Sequence, residues 1–212
     1  MIGLTGPQGV GKTTLAEAAA KKLELPFVRT TASAVFARHG LSPATKLAFD
    51  DRIAVQREIL AEFDAQYGSV SDGRFISDRT PIDMIAYTLA EIDQTVLTPE
   101  QEKALMSYIT ECENVTNRRF SALVVLYPGI PVVENREGKA THSAGFVEHI
   151  SRIIMGSVAD KKIDASHFYI PRYMTDLDQR VAAIEHVYSL HIKRQMQYLK
   201  DAENRGESVV LH

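Results

Sequence analysis

Short apolar runs alternate along the chain with longer stretches whose apolar residues recur at helical spacing. Met1 to Thr5 reads as a buried strand, and Leu15, Ala19 and Leu23 put one apolar face on a helix from Thr13 to Leu23. A second strand is expected over Pro26 to Thr30, then a long helix from about Lys46 to Gln66 that ends at Gly68. Arg74 to Asp78 reads as a third strand. Pro81 suits the first turn of the next helix, where a missing N–H costs nothing, and that helix runs to about Ile92. Thr98-Pro99-Glu100 marks a fresh helix start with Thr98 as its N-cap. Ser121 to Leu126 is a continuous apolar run, so both faces of that strand must be covered. From Ile130 to about Ser166 the pattern changes. A polar turn precedes a helix with Phe146, Ile150, Ile153 and Ile154 on one face, and the whole segment reads as an insertion or lid. His167 to Ile170 supplies a last strand and Asp176 to about Lys200 a terminal helix. Strands alternating with helices predict an α/β, doubly wound, mainly parallel sheet with ligands at its C-terminal strand ends.

At 212 residues, 45% hydrophobic and 24% charged, the chain fits one domain spanning 1–212 with a sizeable lid at about 130–166. The net charge of -3 argues against a protein whose main partner is a nucleic-acid backbone, although a local basic cleft stays open. Cys112 is the single cysteine, which excludes an internal disulfide and a cysteine-rich zinc site; a buried, inert thiol is expected. No apolar run approaches membrane-spanning length, so no membrane partner is expected and the location is read as cytoplasmic. The histidines form no H-E-x-x-H, and no G-x-S-x-G elbow is present.

The chemistry concentrates in two places. Gly6 to Thr13 reads G-P-Q-G-V-G-K-T, an intact G-x-x-x-x-G-K-[ST] phosphate loop between a predicted strand and a predicted helix. Its glycines let successive backbone N–H groups converge on a polyphosphate, the helix N-terminus adds positive potential, and Lys12 reaches the β and γ phosphates. Gly6, Pro7, Gln8, Gly9, Val10, Gly11, Lys12, Thr13 and Thr14 are therefore the expected nucleotide-binding residues, with Thr13 on Mg2+. Asp78-Arg79 falls at the end of the third predicted strand, beside that loop. A carboxylate there can orient the waters of magnesium or accept the proton of an attacking hydroxyl, and the arginine can hold a phosphate bidentately.

The phosphate loop at the start, F-I-S-D-R-T-P-I-D-M-I-A-Y over Phe75 to Tyr87, and the later strand plus lid resemble the nucleoside and nucleotide kinase group of P-loop proteins. The resemblance is closest to the nicotinamide riboside kinase-like ATPase/kinase family and more distant to thymidylate kinase. It implies ATP-dependent phosphoryl transfer and a P-loop NTPase-type three-layer fold, a five-stranded parallel sheet with helices on both faces. It also implies a lid supplying arginines. On that basis Lys12 and Thr13 are ATP and magnesium residues, Asp78 a metal-shell or base carboxylate, and Arg79 an acceptor or phosphate contact. Arg136, Lys139 and Arg152 are lid cations able to reach the transferring group on closure. Arg172, just after the last strand, is placed to stack on the nucleotide base or to cap the sheet edge.

Many deoxynucleoside kinases carry a glutamate after the second strand, whereas this chain has P-F-V-R-T-T there with no acid. General-base duty would then fall to Asp78, and Arg29 is free to bind an acceptor phosphate. Gln56 shares a stripe with Ile53, Leu60 and Phe63, where an amide could read a base edge or bond to backbone. The expected activity is phosphoryl transfer from ATP to a small nucleoside-type acceptor, foremost a (deoxy)nucleoside monophosphate. A nucleoside or nicotinamide riboside acceptor, a modified base in DNA, and a nucleotide-binding regulatory ATPase remain alternatives. Oligomeric state is open, a homodimer included.

Overall fold

The computed structural model describes residues 1–42, 45–92, 95–131 and 143–205. The strands are β1 (Ile2–Thr5), β2 (Phe27–Val28), β3 (Ile76–Ser77), β4 (Ala122–Leu126) and β5 (Ser166–Ile170). The helices are α1 (Lys12–Leu23), α2 (Ser33–Arg38), α3 (Phe49–Gly68), α4 (Pro81–Ile92), α5 (Pro99–Arg119), α6 (Ala144–Val158) and α7 (Leu177–Asn204). The five strands form one sheet in the order β2-β3-β1-β4-β5, and every neighbouring pair is parallel. The expected α/β architecture is what forms.

Alternate residues of β4 face opposite layers, as the pleat requires. Leu123 and Val125 pack with α3, α4, α5 and α6, while Ala122, Val124 and Leu126 pack with α1 and α7. The central β1 is fully buried, and its C-terminal end delivers Gly6 into the gap between the two layers. That gap lies at the C-terminal ends of parallel strands, where open α/β sheets bind ligands.

Several elements differ from the sequence pattern. β2 and β3 are two residues each, shorter than the expected strands at Pro26 to Thr30 and Arg74 to Asp78. Beyond that ladder the chain at Thr30 and Asp78 turns to hydrogen bonding across the site. The one-and-a-half-turn α2 was absent from the pattern; it has no side-chain cap and too few residues to show a periodicity. α3 begins at Phe49 rather than near Lys46. By contrast Thr98 caps α5 as expected: its hydroxyl accepts from the Gln101 N–H at 3.3 Å while the Gln101 side chain accepts from the Thr98 N–H at 3.2 Å.

α6 is a packed layer of the domain. Its Ile150, Ile154 and Val158 are fully buried in the core shared with α4. The residues between Pro131 and Ser143, which include Arg136 and Lys139, lie outside the described residues.

Candidate active site

The turn from β1 into α1 is built on two glycines in left-handed backbone, Gly9 at φ 86° and Gly11 at φ 81°, a conformation that favours glycine over any side chain. Gly11 is the N-cap of α1, and the helix begins with no side-chain cap and no acidic residue in its first turn. Its leading N–H groups therefore face the site as unneutralised donors, which an anion can satisfy.

Two side chains of α4, one turn apart, hold the loop from below. Asp83, 2% exposed, accepts from the Gly6 N–H at 3.1 Å and from the Thr80 N–H and hydroxyl at 2.9 and 3.1 Å. Tyr87 accepts the Gln8 N–H on its hydroxyl at 2.9 Å, and burial, then the nearby Asp83, pushes its phenol up to about 12. The Lys12 ammonium lies over this platform. It donates to the carbonyls of Gly6 and Pro7, the latter at 2.9 Å, and stands 3.7 Å from Asp83. Burial pulls its pKa down to about 8, against the pull of Asp83; the positive Arg79 nearby also lowers it.

Beside the loop, the Thr13 hydroxyl donates to Asp78 Oδ2 at 2.6 Å, and the Thr30 N–H reaches Asp78 Oδ1 at 3.3 Å. The end of β3, the start of α1 and the chain after β2 thus meet at one buried carboxylate. The Arg79 carbonyl accepts from Tyr67 and Ser77 hydroxyls at 3.0 and 2.9 Å, which fixes the backbone from which the exposed Arg79 side chain projects. Arg29 is exposed one residue before Thr30. Neither arginine has a carboxylate partner among the described residues.

The other sequence candidates are placed differently. The Arg172 guanidinium donates to both oxygens of Glu148 at 2.8 and 2.6 Å and to the Pro128 carbonyl at 3.0 Å, and it lies 5.7 Å from the Tyr127 ring centre. Arg152 is exposed on α6 and pairs with the same Glu148 at 2.7 Å. The two arginines hold the Glu148 carboxyl below its usual range, Arg172 most strongly. Next to them a cleft of about 320 Å³ is walled by Pro128, Ile130, Val147, Glu148 and Arg172. Gly129 is required there, since a Cβ would run into the Arg172 carbonyl. Gln56 is half-buried and accepts the Tyr108 hydroxyl at 3.4 Å, bonding within the α3–α5 interface. Cys112 is fully buried and its thiol is pushed up to about 12 by burial.

The structure brings Thr13, Asp78, Lys12 and the loop together. Asp83, Tyr87 and Arg180 are additional contributors. Asp83 sits within the D-R-T-P-x-D stretch, and its i, i+4 spacing to Tyr87 on a helix was a visible signal of a shared face. Arg180 has no such signal.

A phosphate loop at the end of the central strand of a 2-3-1-4-5 parallel sheet, with a lysine and a Thr–Asp pair beside it, defines a P-loop α/β fold. A family model described as an AAA domain matches residues 1–140, and the chain belongs to that family. Among solved structures, the chain resembles a deoxyadenosine kinase from M. mycoides with bound dCTP. That match has a TM-score of 0.61 at 14% identity and covers 89% of this chain and 98% of that one. It also resembles YorR from Bacillus subtilis in complex with phosphorylated GDP (TM-score 0.55, 16% identity, 91% and 97% covered). A third is NadR in complex with NAD and AMP-PNP (TM-score 0.58, 18% identity, 89% of this chain and 48% of that one). No curated protein sequence matches significantly. Among the described residues no helix is long and apolar enough to cross a membrane.

Proposed function

We propose that this chain is a kinase that transfers the γ-phosphoryl group of ATP to a small nucleoside-type acceptor, foremost a (deoxy)nucleoside monophosphate. The observation that carries the reading is the uncapped α1 N-terminus with Lys12 above it and the Thr13–Asp78 pair at its side. The triphosphate lies along the loop, where the leading N–H groups of α1 and the Lys12 ammonium oppose its charge. The base occupies the cleft beside Arg172, and the segment at about 130–166 is the lid, with α6 as its anchored base. Arg136 and Arg152 belong to that lid.

Thr13 and Asp78 present hard oxygen donors side by side, the chemistry suited to a magnesium ion that keeps most of its waters. These two residues would hold it, and it would supply charge neutralisation at the β and γ phosphates. Asp78 keeps lone pairs beyond those used by Thr13 and Thr30, so it aligns the acceptor hydroxyl and takes its proton. Arg79, next to Asp78 in the chain, and Arg29, next to Thr30 whose N–H bonds Asp78, have no carboxylate partner among the described residues and suit a dianionic acceptor, which is why a monophosphate is preferred to a neutral nucleoside.

The test is an ATP-coupled assay with nucleosides, nicotinamide riboside and nucleoside monophosphates, alongside ligand-induced shifts in melting temperature. Turnover that depends on one of the monophosphates supports the reading. ATP hydrolysis unstimulated by any acceptor replaces it with a regulatory ATPase. Transfer to an oligonucleotide carrying a modified base, weakening steeply with salt, moves the acceptor into DNA.

A further inference from the structure

Arg180 lies in the first turn of α7 and is only 2% exposed, yet no carboxylate among the described residues pairs with it. Its Nε donates to the Met174 carbonyl at 2.9 Å and its Nη1 to the Val10 carbonyl at 2.9 Å. Nη2 is buried without a partner. The guanidinium presses on the outer side of the phosphate loop: a Cβ on Gly11 would sit 3.3 Å from Nη1. Arginine stays protonated at any working pH, and burial disfavours its charge here. A desolvated cation with no anion opposite is costly, and such charges are retained where a partner neutralises them.

The phosphate loop separates this charge from the place where a triphosphate would lie. The Val10 carbonyl and the Gly11 N–H belong to one peptide unit. A cation bonded to that carbonyl polarises the unit and makes its N–H a stronger donor to an anion on the far side. Through Met174 the same side chain ties the loop after β1 to the chain after β5, which carries Arg172 at the proposed base cleft.

We infer that Arg180 is a positioning residue for the nucleotide, a buried charge whose counter-ion is the polyphosphate of the bound nucleoside triphosphate, acting through the Val10–Gly11 peptide. This rests on the proposed nucleotide site. Its consequence is that the residue matters in proportion to the number of phosphates on the ligand, and not to the base or ribose.

The experiment compares the dissociation constants of AMP, ADP and ATP for wild type, R180Q and R180K, with melting temperature followed in parallel. R180Q is expected to weaken ATP about tenfold or more, ADP less, and AMP about twofold or less. R180K keeps the charge and is expected to stay within about threefold of wild type for all three, even with a lower melting temperature. Equal losses for the three nucleotides in R180Q would show a purely structural brace and overturn the inference. If R180Q does not fold, R180K carries the test, and a loss beyond about threefold that is equal for the three nucleotides overturns it. A wild-type protein that binds none of the three removes the nucleotide site itself and this inference with it, whereas wild-type binding with a phosphate-independent loss defeats the inference alone.

Discussion

The hydroxyl of Thr13 and the carboxylate of Asp78 share a hydrogen bond of 2.6 Å, although 65 residues separate them in the chain. The contact joins the first turn of α1 to the end of β3. Replacing Asp78 with Asn keeps the shape and removes the charge, so the proton acceptor is lost while the loop amides that grip ATP remain. D78N is expected to lower turnover by about 10²-fold or more, with ATP affinity changed by less than about threefold. Pre-steady-state turnover and direct ATP titration measure the two separately; unchanged turnover would remove the role given to Asp78.

Lys12 provides a pH signature. Its folded pKa of about 8 lies below the ordinary 10.5, so between those values the unfolded chain holds the extra proton. The ligand-free protein therefore gains stability from this group as pH rises from about 8 towards 10.5. ATP needs the cation, so its affinity should fall above pH 8, and binding near that pH should draw in a proton. Calorimetry in buffers of different ionisation enthalpy reads that uptake. K12M should lose it together with turnover, and proton uptake identical to wild type in that variant would contradict the assignment.

Asp83 serves the loop rather than the reaction. Truncation in D83A strands the Gly6 and Thr80 N–H groups and the Lys12 ammonium in a buried place, which should cost about 3 kcal/mol of stability by chemical denaturation. Y87F strands only the Gln8 N–H and should cost about 1 to 2 kcal/mol. A larger penalty for Y87F than for D83A would reverse the proposed division of labour.

Arg29 and Arg79 separate the acceptor classes. R29Q and R79Q should raise KM for a nucleoside monophosphate about tenfold or more and leave KM for ATP nearly unchanged. An equal rise in both constants would place these side chains on the donor nucleotide instead.

How far the chain could be read depended on the range of each interaction. The N-cap of Thr98 with Gln101, and Pro81 opening α4, use partners within a few residues, so residue type alone announces them. α2 has six residues, too few to carry a periodicity. Arg152 and Arg172 were legible as cations near a lid and a strand end, but their common capture by Glu148 depends on how α6 docks beside the chain after β5.

The sequence by itself determined the phosphate loop, because a grip built from consecutive backbone N–H groups needs only glycines, a lysine and a hydroxyl in fixed order. It also determined the parallel α/β layering, through alternating apolar periods. Only tertiary structure decided what holds the loop in place: Asp83 on Gly6, Tyr87 on Gln8 and Arg180 on Val10 act across 77, 79 and 170 residues. Such contacts form when the helices of the two layers close on the ends of the strands, and no local pattern of hydrophobic and polar residues specifies which buried polar side chain meets which backbone group.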